Sequence, residues 1–262
     1  MAAAVPWPGA GGGPMADPLV LATVVAGALI AGFVNGFAGF GTALIASGFW
    51  FLVLPAPMVP PLLVIAAVAG QLVGLIRLHG HLDWRKGHWL ISGGLAGVPL
   101  GTWLLTLARP ESLKLVVGLV LLTYVAAQAT RLGALRLNRP GDGWADRLVG
   151  FIGGVLGGFG GVSGPPPLVW LQIRGLSGAE ARARYQPFNF AVLALAMVTM
   201  AVAGKVDGAV LAWSALTVPL SVIGALIGLR AFLGVSEGAF RRAVLVLLLA
   251  SGLALSWQGL AG

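Results

Sequence analysis

The sequence predicts an all-α polytopic membrane protein of two homologous repeats in inverted orientation. Each repeat holds a glycine-rich broken or re-entrant helix, and the whole has about eight full transmembrane helices. Three observations carry this. Apolar residues make up 58% of the 262 residues and charged residues only 9%, against about 25% charged in an average soluble domain. Apolar runs long enough to cross a hydrocarbon core of about 30 Å recur along nearly the whole chain. Two glycine-rich interruptions, Gly32-Phe-Val-Asn-Gly-Phe-Ala-Gly-Phe-Gly41 and Gly150-Phe-Ile-Gly-Gly-Val-Leu-Gly-Gly-Phe-Gly160, both open on Gly-Phe and close on Gly-Phe-Gly. An interior glycine costs a helix roughly 1 kcal/mol relative to alanine. The same cost in corresponding positions of two halves points to unwound backbone at membrane depth.

Taken in order, residues 1–17 are rich in Ala, Pro and Gly and carry no Lys or Arg, so they read as a disordered lead-in rather than a cleavable signal peptide. Repeat 1 covers 18–130, with apolar runs at 18–38, 40–56, 60–78, 89–107 and 113–130. A polar linker, 131–147, contains Asn138-Arg-Pro-Gly-Asp-Gly143. Repeat 2 covers 148–262, with runs at 148–158, 159–173, 186–203, 208–229 and 241–258. Its break runs into Pro165-Pro-Pro167, and three successive prolines cannot continue a helix. The halves share further landmarks in the same order. His81-Leu-Asp83 and Lys205-Val-Asp207 each precede a span, and each is followed by Val-Pro-Leu, at 98–100 and 218–220.

Charge placement predicts what the chain does at the breaks. If each break were one continuous crossing, the sixteen Lys and Arg would divide evenly between the two faces. If the chain reverses at both breaks, only Arg109, Lys114 and Lys205 stay on one face and the remaining thirteen share the other. Inner-membrane proteins carry such a positive-inside excess, so reversal is expected, with both termini outside. The second break leaves arms too short for two crossings and reads as a re-entrant hairpin. Trp50, Trp84, Trp89, Trp144, Trp170 and Trp257 lie at or near span ends and read as interfacial anchors.

The same features exclude several classes of function. A net charge of +8 scattered over short loops reads as topology signal and attraction to a lipid bilayer, so no nucleic-acid partner is expected. The chain has no cysteine, which removes disulfides and thiolate metal sites. The His79, His81, Asp83 and His88 cluster has no shared helical spacing and reads as a solvated loop. Ser163 has no neighbouring His or carboxylate, so an enzyme is not expected, nor is any cofactor. No charged residue falls in the middle of an apolar run, which disfavours a buried carboxylate relay. Arg77 and Arg184 lie at span edges, where they either guide an anion or snorkel to headgroups.

What remains is unwound backbone, whose N–H groups and helix dipoles favour an anion, beside neutral donors: Asn35 and Thr42 in the first break, Ser163 in the second, and Gln71 and Asn189 in later spans. Close helix packing is the competing reading of the glycines, since Gly32/Gly36, Gly153/Gly157, Gly154/Gly158 and Gly157/Gly161 are small-xxx-small pairs. Interhelical hydrogen bonding competes for Asn35, Gln71 and Asn189.

The duplicated break running into prolines, with a later Asp after a short loop, resembles the TauE/SafE sulfite-exporter family from about Leu19 to Ala250. The resemblance implies transport of a small anionic substrate, sulfite, an organosulfonate or another organic anion, across the bacterial inner membrane. By position it implies a substrate-binding lining of Gly39, Phe40, Gly41 and Thr42 with Gly158, Phe159, Gly160, Gly161 and Pro165. Two departures stand out. No proline run follows the first break, and the stretch Arg182-Ala-Arg-Tyr-Gln-Pro-Phe-Asn189 is unusually basic and polar. The expected mechanism is alternating access around the breaks; a passive anion channel and a non-transporting scaffold are the alternatives.

Overall fold

The computed structural model describes residues 17–130, 143–176, 178–231 and 237–261. The expected lead-in up to residue 16 and most of the linker, 131–142, lie outside these. Among the described residues the chain forms ten helices. They are α1 (Pro18–Ala38), α2 (Thr42–Val53), α3 (Val59–Arg77), α4 (Trp84–Leu107) and α5 (Pro110–Ala129), then α6 (Gly143–Gly160), α7 (Pro165–Ile173), α8 (Gly178–Val202), α9 (Gly208–Ala231) and α10 (Glu237–Ala261). Seven are long and apolar enough to cross a membrane: α1, α3 with its preceding turn, α4, α5, α8, α9 and α10. α6 has 18 residues and carries Asp146 and Arg147 near its start.

The chain turns back on itself at both breaks. In α2, the Trp50 indole donates to Val24 O of α1 at 3.2 Å, although Val24 lies far before the break and Trp50 well after it. Only an antiparallel hairpin brings these together. Across the second break, the Arg174 guanidinium just beyond α7 and Trp170 within it reach back to Asp146 at the start of α6. At 12 and 9 residues, α2 and α7 extend about 18 and 14 Å, too short to cross a bilayer. Trp50, expected at an interface, is instead fully buried. Trp84, Trp144 and Trp257 are exposed at helix ends.

The helices pair by a simple rule. α1 packs on α9, α4 on α6, α5 on α10 and α3 on α8, with α3 also against α9 and α4 against α8. Exchanging the first five helices for the last five interchanges α1·α9 with α4·α6 and α3·α9 with α4·α8, and returns α5·α10 and α3·α8 to themselves. The apolar window of α3 is 67% buried while that of α10 is 22% buried, so α3 is central and α10 faces lipid.

Most of the glycines serve the two tightest crossings. Between α4 and α6, a Cβ on Gly93, Gly97, Gly150 or Gly154 would fall 2.0–2.3 Å from a carbonyl oxygen of the facing helix. Between α1 and α9 the same holds for Gly32, Gly36 and Gly228, at 2.0–2.3 Å. Main chains this close leave no room for a side chain, which is the small-residue packing of membrane helices.

Both landmark aspartates begin helices. The Asp83 carboxylate accepts Lys86 N at 2.9 Å at the start of α4, and Asp207 accepts Val210 N at 2.8 Å at the start of α9. These are helix N-caps, worth about 1 kcal/mol each. The Lys86 N–H and ammonium also hold the Asp83 carboxyl below the usual carboxylate range. α4 and α9 run through Pro99 and Pro219, as the expected runs 89–107 and 208–229 do. One expected boundary moves at a proline: α8 runs through Pro187 and begins at Gly178 rather than at 186. α6 begins at Gly143, so the last residues of the expected linker are helical. A proline inside a helix frees the carbonyl four residues earlier. For Pro187 that carbonyl is Ala183 O, and Asp83 N–H takes it at 2.9 Å.

Gly154→Ala is therefore expected to destabilise the protein, despite the gain of about 1 kcal/mol in helix propensity. Its Cβ would meet Gly94 O, a main-chain atom that cannot swing aside, and overpacking of that kind costs about 1–3 kcal/mol. Gly208→Ala, which meets nothing within 4 Å, is the control. Thermal unfolding in detergent should show a lower melting temperature for the first and no loss for the second.

Candidate functional site

The two breaks meet inside the bundle. α1 ends at Ala38; Gly39 (φ 80°) and Gly41 (φ 109°) take left-handed backbone, and α2 starts at Thr42. Beyond α6, Gly161 (φ 73°) makes the corresponding turn. A side chain at these three positions would be strained whatever its surroundings. The Phe40 ring packs edge-on against Tyr124 and Tyr185, with centroids 5.9 and 5.8 Å away. It also lies over Gly164 of the second break, where a Cβ would be 3.4 Å from the ring.

Between the breaks lies a cavity of about 20 Å³, room for about one water. From the first half it is lined by Asn35, Phe40, Gly41, Thr42 and Gln71, and from the second by Gly161, Ser163, Pro165 and Asn189. Ala67 of α3 and Leu193 of α8 supply apolar wall near the middle of those helices. Gly39 sits behind the lining, against Arg182 and Tyr185.

Gly158, Phe159 and Gly160 do not line the cavity. Gly158 packs against Val98 O of α4, Gly160 faces Val117 of α5, and Phe159 is a core residue. The reason is helical phase: these three are still in α6, and the backbone unwinds only at Gly161. The alternative readings of the glycines thus hold for different glycines. Those inside the helices pack, and those between helices form the breaks.

The polar groups around the cavity are half satisfied. Gln71 Nε2 donates to Asn35 Oδ1 at 3.1 Å and to Gly39 O at 3.0 Å. Ser163 Oγ donates to Asn189 Oδ1 at 3.0 Å. Three buried atoms have no protein partner: Thr42 Oγ1, Gln71 Oε1 and Asn189 Nδ2. All three residues line this one cavity and are at most 3% exposed. Leaving such a group unpaired costs about 1–3 kcal/mol, and all three of these lie at one cavity.

The electrostatics differ from the sequence expectation in two ways. First, the helix starts are unequal. The first turn of α2 presents main-chain N–H groups, but α7 begins on Pro165-Pro-Pro167, and proline has no N–H. Only the first break offers a helix N-terminus as an anion donor. Second, there is a partly buried cation. Arg182, in the part of α8 that the expected boundary left outside the span, donates from NH2 to Gly36 O at 3.1 Å and from NH1 to Phe37 O at 3.0 Å. Its Nε holds Gln186 Oε1 at 3.0 Å. Tyr185 OH bonds Ala38 O, and Gln71 takes Gly39 O.

Four successive carbonyls at the end of α1 are thus each taken by a side chain. They would otherwise point partial negative charge at the break. Arg182, Tyr185, Gln186 and Asn189 fall at i, i+3, i+4 and i+7, one face of α8. That spacing is the signal in the sequence that identifies them as a unit.

The second hairpin is clipped at its open end. Asp146 is buried and pairs with Arg174 at 2.8 Å, while the Trp170 indole donates to the same carboxylate at 2.7 Å. This ion pair lies away from the cavity, so its role is to hold α7 against α6. Among the described residues no cluster of His, Cys, Asp or Glu has metal-binding geometry.

Comparison with known proteins agrees with this architecture. The family model described as sulfite exporter TauE/SafE matches residues 24–255. The chain is 29% identical over 186 residues to "Probable inner membrane transporter protein TsaS" of Comamonas testosteroni, covering 68% of this chain and 77% of that one. It is 30% identical over 200 residues to "Probable sulfite/organosulfonate exporter TauE" of Cupriavidus necator, covering 73% and 76%. No solved structure matches. The chain belongs to the sulfite exporter TauE/SafE family and is a multi-pass inner-membrane transport protein.

Proposed function

We propose that the protein is a secondary transporter of small oxyanions of the sulfite and organosulfonate class, and that the cavity between the breaks is its substrate site. The observation that carries the proposal is the convergence of Thr42, Gln71 and Asn189, each with a buried polar atom lacking a protein partner. Hydroxyl and amide donors recognise an oxyanion without the tight grip of a direct ion pair. Arg182 contributes positive charge from behind the break while its hydrogen bonds go to main-chain carbonyls. The names borne by the relatives support the substrate class.

The proposed mechanism is alternating access, with residues 18–130 and 148–262 acting as inverted repeats that rock about the cavity. The helix pairing, which maps onto itself when the two sets of five helices are exchanged, supports that division. A cavity with room for about one water favours a closed carrier state over an open anion pore. An anion larger than water then enters only as the two halves part.

Three outcomes test this reading. In proteoliposome counterflow with sulfite and sulfonates, Asn189→Leu should lower flux about 10- to 100-fold, the worth of a hydrogen bond to a charged ligand. Gly41→Leu and Gly161→Leu should abolish flux through backbone strain at inserted, folded protein. Unchanged flux in all three would exclude the cavity as the site. Arg182→Met leaves two α1 carbonyls without their donor and should weaken anion uptake, with Arg182→Lys restoring part of it. The chain is free of cysteine, so single cysteines report topology directly. Those at Ala2 and Gly262 should label from outside and those at Gly87 and Asp142 only from inside. Termini labelled on opposite faces would contradict an even number of crossings.

A further inference from the structure

Gln71 has one atom whose chemical sense is fixed. Its Nε2 donates to Gly39 O at 3.0 Å as well as to Asn35 Oδ1 at 3.1 Å. A main-chain carbonyl has no hydrogen to give, so the amide cannot be turned the other way round. Gln71 Oε1 is therefore an acceptor, buried and unpartnered, on a residue that lines the cavity. A fully deprotonated oxyanion meets it lone pair against lone pair, which costs binding instead of supplying it. Of the other two unpartnered groups, the Thr42 hydroxyl can donate to a bare oxygen, and the Asn189 amide, paired with the Ser163 hydroxyl that accepts either orientation, can turn its nitrogen to one.

The complementary ligand has at least two acceptor oxygens and one O–H. We propose that the site selects a monoprotonated oxyanion, of the hydrogensulfite type, and that Gln71 Oε1 reads its proton. This rests on the reading of the cavity as the anion site and narrows that reading from sulfonates, which carry no O–H, to protonated sulfite. Its consequence is that anion and proton move together on one molecule, with no titrating carboxylate in the path.

The groups around Gln71 do not supply a competing titration near neutrality. Arg77, on the same helix, is exposed. From α8, Arg182 and Tyr185 are engaged on the α1 carbonyls. From α6, Asp146 is paired with Arg174, and α9 brings Arg230 only in its last turn. None of these side-chain types ordinarily titrates between pH 5 and 8. His79, His81 and His88 lie exposed at the α3–α4 connection and the start of α4.

The test uses the purified full chain in nanodiscs, with binding measured by calorimetry between pH 5.5 and 9 for sulfite, selenite and methanesulfonate. Sulfite loses its second proton near neutral pH and selenite at a higher pH. Apparent sulfite affinity should fall about tenfold per pH unit once the ligand deprotonates, the slope of one linked proton. For selenite the same fall should begin at correspondingly higher pH.

Methanesulfonate, which has no O–H, should bind more weakly and with no dependence on pH. A triple variant, His79→Gln with His81→Gln and His88→Gln, should leave these profiles unchanged. Gln71→Met should flatten the sulfite profile, and the wild-type ligand series stands as a test even where that variant fails to fold. Sulfite binding that is flat or strengthens with rising pH, or midpoints that coincide for sulfite and selenite, would overturn the proton-reading role alone. Absence of binding by all three ligands at every pH would overturn the site itself.

Discussion

The fold depends on how α1 ends. A transmembrane helix that stops inside protein leaves its last carbonyls without partners, in surroundings where water cannot take them. Here Gly36, Phe37, Ala38 and Gly39 are answered in sequence by Arg182, Tyr185 and Gln71. These donors come from α3 and α8, the two central helices, so ending α1 also fixes where α3 and α8 stand relative to the break. The same act removes the negative end of the α1 dipole from the cavity and replaces it with a guanidinium.

Glycine and proline divide the remaining work. Glycines inside α1, α4, α6 and α9 let two pairs of helices touch main chain to main chain. That contact brings α1 beside α9 and α6 beside α4, so each broken hairpin is held by a helix from the other half of the chain. The αL glycines then turn the chain where no other residue fits. Pro187 acts at a third level. By releasing Ala183 O to Asp83 N–H, it ties the α3–α4 connection to the turn of α8 that carries Arg182. Backbone chemistry in one place therefore sets side-chain position in another.

Much of this was legible in the sequence, and the failures have physical causes. Length and hydropathy were enough for an all-helical membrane protein, and the charge count pointed to reversal at the breaks. Asn35, Thr42, Gln71, Ser163 and Asn189, which line the cavity, stand out because neutral polar residues inside apolar runs are conspicuous. Gly158, Phe159 and Gly160 fall outside that lining because a motif does not reveal the residue at which a helix unwinds; only φ at Gly161 does. Arg182 was missed because Pro187 looked like a helix start. Once α8 is extended back through that proline, the i, i+3, i+4, i+7 row from Arg182 to Asn189 is readable without coordinates. Trp50 was mistaken for an interfacial anchor because α2 is a half-helix, and its end lies within the protein instead of at the headgroups.

The two breaks look alike in sequence and are unlike in chemistry. After the first, Thr42 and the residues beyond it bring N–H groups to the start of α2. After the second, three prolines silence the corresponding donors in α7. A ligand held only by helix N-termini would therefore sit off centre, against the first break. The side chains redress this, since Asn189 offers its donor from α8 on the side of the second break. The cavity is thus not a symmetric cradle of backbone N–H groups. One wall of backbone and hydroxyl donors faces one amide donor, with the Gln71 acceptor between them and the apolar Ala67 and Leu193 completing the enclosure. Pseudo-symmetry belongs to the scaffold and asymmetry to the site. On the proposed reading, a moving carrier uses the first to open toward either face, and recognition of one oriented oxyanion uses the second.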